Sequence, residues 1–268
     1  MPELPEVEIF ARYFAQHALG QKIVRVHVRD ERILGEIRAD AFVRKLKGHT
    51  FTSVRRHGKH LFAETTAKDT WLHLHFGMSG DLAYYREREN EPRFARIVFD
   101  FLRENGTSGA HLAFEDMRLF GVADLVSSPD AFIEDRGLGP DPIDSSFTFS
   151  KFAALLDRRR GAIKSLLMSQ EIIAGLGNLW VDETLYVSSI HPRRAVDRLT
   201  KNDQRSIFNA MRKLLREVIA RHGRGADLPA TWLYHNRETD THCPRCGGAI
   251  RRTVVFGRTT YFCAKHQR

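Results

Sequence analysis

Residues 243–266 read CPRCGGAIRRTVVFGRTTYFCAKH. Two residues separate Cys243 from Cys246 and Cys263 from His266, with 16 residues between the pairs. Sulfur and imidazole donors at that spacing suit a tetrahedral zinc ion, here a single structural Zn2+. IRRTVVF and TTYFC alternate as two strands around Gly257-Arg258, so the ion would tie the base of a hairpin whose turn presents Arg258. A hairpin this short has almost no core of its own, and the metal would order it. All three cysteines of the chain lie in this stretch, which favours metal ligation over disulfides. His242 competes for the fourth ligand position.

Moving back along the chain, KFAALLDRR, AIKSLLMSQ, LWVDETLYVSSI and DQRSIFNAMRKLLREVIARH carry helical spacing. Thr200 and Asp203 predict a capping pair for the last of these, and Gly223 its end. Residues 127–147 hold three prolines among Gly, Ser and Asp and read as a linker. Before it, FTSVRR, KHLFAE, TWLHLHF, ARIVFDFL, AHLAFED and GVADLV predict strands at short intervals, with His57-Gly58 as a hairpin turn. IVRVHV adds a strand through Val24, Val26 and Val28, and DAFVRKLK a short helix ending at Gly48. Val7, Phe10 and Phe14 form the apolar stripe of a helix over 5–19, closed by Gly20. The expected organisation is a strand-rich domain over 1–126, the linker, a helical domain over 148–235 and the metal hairpin over 236–268.

Composition bounds the partners. The 268 residues include 42 Lys plus Arg against 33 Asp plus Glu, a formal charge of +9. Such an excess suits a nucleic-acid partner. No apolar run reaches the roughly 18 residues of a membrane span. The start, MPELPEVEIF, has neither a basic nor an apolar region of a signal peptide, so a cytoplasmic protein is expected.

Seven motifs occur in order: MPELPEVE at 1–8, RRHGKHL at 55–61, HFGMSG at 75–80, DMRLFG at 116–121, IKSLLMSQ at 163–170, AGLGNLWVDETLY at 174–186, and the Cys/His hairpin. Together they resemble the formamidopyrimidine-DNA glycosylase and endonuclease VIII family over nearly the whole chain. The resemblance implies an α+β fold. An N-terminal helix plus β-sandwich domain would face a C-terminal helical domain with a helix–two-turns–helix and a zinc-finger β-hairpin, with DNA in the basic cleft between them. It implies that Met1 is removed, leaving Pro2 with a secondary amine that is partly neutral at physiological pH and able to act as nucleophile. Glu3 would be the general acid and base, Glu6 a supporting carboxylate and Lys59 the catalytic-site lysine. His75 would contact backbone phosphate. Met78, Arg118 and Phe120 would fill the gap left by a flipped base. Lys164 would lie near the lesion, Asn178 and Arg258 would grip phosphates beside it, and Glu183 would line the same pocket. Taken without the resemblance, Glu3 and Glu6 read as charges complementing a helix N-terminus, and Asn178 as a helix cap.

Two features depart from the family pattern. His266 stands where most relatives have a fourth cysteine, a change that keeps the donor set suitable for zinc. Nineteen residues separate Gly223 from Cys243, where members that recognise 8-oxoguanine often carry a longer insertion. That shortness leans toward oxidised pyrimidines or ring-opened purines, whereas MPELPEVE is more typical of the formamidopyrimidine branch. The function expected is a base-excision-repair DNA glycosylase using an N-terminal proline Schiff base, followed by abasic-site lyase β/δ-elimination. The alternative is a non-catalytic DNA-binding protein on the same scaffold, against which Pro2 and Glu3 are both present. The expected partner is damaged double-stranded DNA, met by a single chain in the nucleoid-associated cytoplasm.

Overall fold

The structure is a computed structural model that describes residues 1–102, 108–238 and 241–268. It divides into two compact units, the first made of Met1–Pro2 and Glu6–Gly137, the second of Glu3–Pro5 and Leu138–Arg268.

In the first unit, helix α1 (Leu4–Ala18) buries Val7, Phe14 and Ala18 and is followed by Gly20 at φ +75°. Then come β1 (Ile23–Val28), α2 (Ala39–Leu46), β2 (Phe51–His57), β3 (His60–Thr65), β4 (Trp71–His75), β5 (Gly80–Tyr85), β6 (Ala95–Leu102), β7 (Ser108–Asp116), β8 (Val122–Val126) and α3 (Pro129–Asp135). They form two four-stranded antiparallel sheets, ordered β1-β6-β7-β5 and β2-β3-β4-β8. Phe51, Leu61, Leu72 and Leu74 of one sheet share a core with Val26, Phe99, Leu112 and Phe114 of the other. The rings of Phe51 and Phe99 meet edge to face across it, centroids 5.7 Å apart. The sandwich therefore forms as the alternation required.

Strand β5 was not among the expected strands. Its sequence, GDLAYY, opens on two residues of low strand propensity, and pairing with β7 overrides them. The segment expected as a linker carries α3, whose N-cap Ser128 accepts from Ala131 N–H, with Pro129 in the first turn. The division between the units falls inside that segment.

The second unit holds α4 (Phe149–Leu156), α5 (Ile163–Met168), α6 (Asn178–Val187), α7 (Lys201–Ala220), β9 (Ile250–Val255) and β10 (Arg258–Cys263). Its core packs Leu4, Phe152, Ile163, Trp180, Met211 and Leu214, all nearly or fully buried. Thr200 and Asp203 form a reciprocal capping box on α7, and Gly223 at φ +65° donates to Val218 O beyond its end. Strands β9 and β10 pair from Ile250↔Cys263 to Val255↔Arg258, leaving Phe256 and Gly257 as a two-residue turn. Arg258 is thus the first residue of β10 rather than part of the turn. Among the described residues no helix is long and apolar enough to cross a membrane.

Candidate functional site

Helices α5 and α6 are joined by a segment pinned by one side chain. Gln170 accepts from Gly175 N–H at 2.9 Å and donates to Leu176 O at 2.7 Å and to Met168 O at 2.9 Å. The two turns deliver the N-terminus of α6, and Glu3 occupies it. The Glu3 carboxylate, on a residue 3% exposed, accepts from the backbone N–H groups of Gly177 (2.7 Å), Leu179 (2.9 Å) and Trp180 (3.2 Å). A negative charge on the first N–H groups of a helix is favourable both as a cap and against the macrodipole. Leu4 N–H adds a bond to Gly175 O at 2.9 Å. A side chain at position 177 could not be accommodated, because a Cβ there would lie 2.4 Å from the Glu3 carboxylate. Glu3 therefore does meet a helix N-terminus, that of a helix 174–177 positions away in sequence.

Asn178 follows directly. Its amide oxygen accepts from Lys164 Nζ at 2.7 Å, and its amide nitrogen donates to Thr259 O of β10 at 3.0 Å. Lys164 is fully buried. Its ammonium also donates to Asp182 at 2.6 Å and Thr260 Oγ1 at 2.7 Å, using its three protons. Asp182 in turn receives Arg237 at 3.0 Å and Tyr261 N–H at 3.2 Å. Burial pushes the Lys164 ammonium below and the Asp182 carboxyl above their ordinary values, and each opposes the shift of the other. The resemblance implies a Lys164 near the lesion, and its contacts in this chain are to protein groups. With no exposed surface, it joins α5, α6 and the hairpin internally. Glu183 is likewise fully buried. Its carboxylate accepts from Leu233 N–H at 3.0 Å and Tyr234 N–H at 2.8 Å, and burial pushes it up to about 7.

In the first unit, Lys59 stands in the two-residue turn between β2 and β3, and the register sets neighbouring His60 opposite His75. His75 Nδ1 accepts from Gly77 N–H at 3.3 Å, which places the imidazole proton on Nε2. Burial, and then the nearby Lys59 charge, hold His75 below its ordinary value, so the ring is a neutral donor. Pro2 and Glu6 are half-buried, Glu6 in the first turn of α1.

Met78, Arg118 and Phe120 come from two loops of this unit. A Cβ on Gly77 would lie 2.3 Å from the backbone of Phe120, so the loops press together main chain to main chain. Asp116 organises them, accepting from the Ser79 hydroxyl, Arg118 N–H at 3.1 Å and Gly121 N–H at 2.7 Å. Its burial opposes ionisation, but those donors outweigh it and hold the carboxyl below its usual range. Met78 is 43% and Phe120 55% exposed, and the Arg118 guanidinium lies 5.1 Å from the Phe120 ring centre. Asp116, Gln170, Asp182 and Thr260 were not singled out from sequence. All four sit inside quoted motifs, but nothing local marks which polar residue turns inward.

At the hairpin base, ligand atoms of Cys243, Cys246, Cys263 and His266 all lie within 4.8 Å of one another. His266 Nδ1 is 3.5 Å from Cys243 Sγ and 3.4 Å from Cys246 Sγ, and Cys246 and Cys263 Sγ are 3.5 Å apart. Tetrahedral bonds of zinc to sulfur and nitrogen imply edges of about 3.5–3.8 Å. The cluster fits such an ion, and His266 Nε2 meets Tyr186 O at 3.2 Å, the outer contact that orients a ligating imidazole. His242 is exposed and outside the cluster.

Comparison with known proteins defines the class. Residues 1–123 match the formamidopyrimidine-DNA glycosylase N-terminal domain, and residues 138–229 the formamidopyrimidine-DNA glycosylase H2TH domain. The chain belongs to the formamidopyrimidine-DNA glycosylase/endonuclease VIII family. It is 32% identical to the formamidopyrimidine-DNA glycosylase of Heliobacterium modesticaldum over the full length of both, and 32% identical to that of Streptococcus pneumoniae R6, covering 100% of this chain and 99% of that one. Among solved structures, a Lactococcus lactis formamidopyrimidine-DNA glycosylase bound non-covalently to DNA containing an abasic site aligns with a TM-score of 0.87 at 27% identity, over 99% of each chain. The same enzyme with DNA containing Fapy-dG aligns at 0.87 and 27%, over 99% of this chain and 100% of that one.

Proposed function

We propose that the chain is a base-excision-repair DNA glycosylase and abasic-site lyase, acting on oxidised or ring-opened bases in duplex DNA. The single observation that carries this reading is the seat of Glu3. A carboxylate buried on three N–H groups at the N-terminus of α6 fixes the backbone one residue from Pro2. The neighbours' complexes with abasic-site and Fapy-dG DNA support the substrate class.

With Met1 removed, the neutral Pro2 amine attacks C1′ of the damaged nucleotide. The N–C1′ bond forms, the glycosidic bond breaks, and the base leaves with that electron pair and takes up a proton. The amine loses its proton, Glu3 protonates the ring oxygen, and the C1′–O4′ bond opens to an iminium. The iminium draws electrons from C2′. Loss of a C2′ proton expels the 3′ phosphate, a second elimination expels the 5′ phosphate, and water hydrolyses the imine to return Pro2. Lys59 and neutral His75 serve phosphate and proton placement. Asn178 and Arg258 hold phosphates, and Met78, Arg118 and Phe120 occupy the gap in the stack. The Cys/His cluster holds one zinc ion, whose contribution is to brace the hairpin. The protein acts as a single chain in the cytoplasm.

Borohydride trapping on duplexes carrying an abasic site, 8-oxoguanine, a ring-opened purine or an oxidised pyrimidine tests the reading. A covalent adduct is expected that Pro2→Gly loses. No adduct on any duplex, with mass spectrometry confirming that Met1 is absent, leaves the non-catalytic DNA-binding alternative.

A further inference from the structure

Three of the large apolar side chains that stand exposed already have a place. Met78, Met117 and Phe120 belong to the two loops organised by Asp116. Phe256 and Val254 do not. Phe256 is 76% exposed, the most exposed large apolar side chain among the described residues, and Val254 is 56% exposed beside it.

Phe256 also violates the local backbone rule. It has φ +50° and Gly257 has φ +68° in the turn joining β9 to β10. Two consecutive residues of positive φ make the mirror-image hairpin turn, whose first position favours Asn, Asp or Gly. An aromatic ring there is disfavoured by the turn and stays 76% exposed. A residue that breaks two rules without a compensating contact in the fold points to function.

The surroundings select the partner. Arg251, Arg252 and Arg258 of the hairpin are exposed, and residues 249–262 contain no carboxylate. Exposed Arg193 donates to Thr253 Oγ1 at 2.8 Å and to Val254 O at 3.0 Å, adding a fourth guanidinium. The carboxylate bonded to the hairpin, Asp182, is buried and already receives Lys164 and Arg237. An aromatic ring at the tip of a hairpin that carries guanidinium groups along its length suits a base face at the tip with cations on the phosphate chain.

We propose that Phe256 stacks on a nucleobase of the strand whose phosphate Arg258 contacts, making the hairpin tip a second aromatic contact to DNA. The proposal rests on the proposed function in taking DNA as the ligand and Arg258 as a phosphate contact.

The test compares wild type, Phe256→Asn and Phe256→Trp on a duplex with a tetrahydrofuran abasic analogue, across a salt series. Asn suits the turn, so its melting temperature should equal or exceed that of wild type. Its dissociation constant should rise about tenfold at every salt concentration, while Trp stays within about twofold of wild type. Because Phe carries no charge, the slope of log affinity against log salt should not change, whereas Arg258→Ala should lower it by about one. Wild-type affinity with Phe256→Asn overturns the proposal. So does a wild-type dimer in sedimentation that Phe256→Asn dissolves at unchanged DNA affinity, which would assign the tip to a second copy of the chain. If wild type binds no duplex at all, both this proposal and the DNA-repair reading fail; if wild type binds and Phe256→Asn binds equally, only this proposal does.

Discussion

Replacing Lys164 by Met keeps the length of the side chain and deletes its ammonium. Asp182 would retain Arg237 at 3.0 Å and Tyr261 N–H at 3.2 Å but lose its 2.6 Å partner. Removing one member of a buried ion pair costs about 3–5 kcal/mol, and the remaining Arg237 argues for the low end. Asn178 Oδ1 would lose its 2.7 Å donor, adding about 1 kcal/mol. The second unit should therefore lose about 4 kcal/mol. With a urea dependence of about 2 kcal/mol per M, its midpoint should fall by about 2 M. Trp180 and Trp232 lie in that unit and Trp71 in the other, so emission during a urea titration reports the loss. DNA affinity should fall as the hairpin loses its anchor, while the salt slope stays that of wild type because the ammonium meets no solvent. A variant unfolding within about 0.5 M of wild type, with a salt slope smaller by about one, would refute the reasoning and make Lys164 a phosphate contact.

Three further outcomes are expected. Burial, with neighbouring charges, holds His60 at about 2 and His73 at about 3, so both imidazoles stay neutral in the fold. The unfolded chain protonates them near 6.5, so their contribution is intact above that pH and lost below it. Between pH 7.5 and 5.5 the first unit should lose about 2–3 kcal/mol, and a His73→Gln variant with an undiminished pH slope in Trp71-monitored urea melts would contradict this. Glu183 has the opposite sign. Its folded carboxyl keeps a proton that the unfolded chain releases, so its contribution falls as pH rises from about 4.5 to 7. Glu183→Gln should remove about 3 kcal/mol of that pH dependence, and parallel pH–stability curves for variant and wild type would show the group ionised. Native mass spectrometry should find one zinc per chain, retained by His266→Cys and lost by Cys263→Ala; an unaltered metal content in the alanine variant would move the site elsewhere.

Legibility in the sequence followed distance along the chain. The Cys/His pairs, the Thr200–Asp203 cap and the alternating strands depend on neighbours a few residues apart, and spacing declares them. The hub around Lys164 does not, since its ammonium reaches Thr260 across 96 positions. Asp182 and Glu183 look like ordinary polar residues of a helix surface until the hairpin and the turn Leu233–Asn236 cover them. Glu3 reads correctly as a helix-terminal charge, yet sequence alone could not say which helix. The family motifs singled out Lys164 and Glu183 but not the protein groups that each meets.

The seat of Glu3 also sets an order of events during synthesis. Its partners Gly177, Leu179 and Trp180 are made 174–177 positions later. At ribosomal rates of about 5–20 residues per second, roughly 9–35 s separate the two. Through that interval the first unit can complete its sandwich while residues 3–5, which belong to the second, have nothing to dock on. Under the proposed function, that interval lets an aminopeptidase remove Met1 and unmask Pro2 before the helix that fixes Glu3 exists.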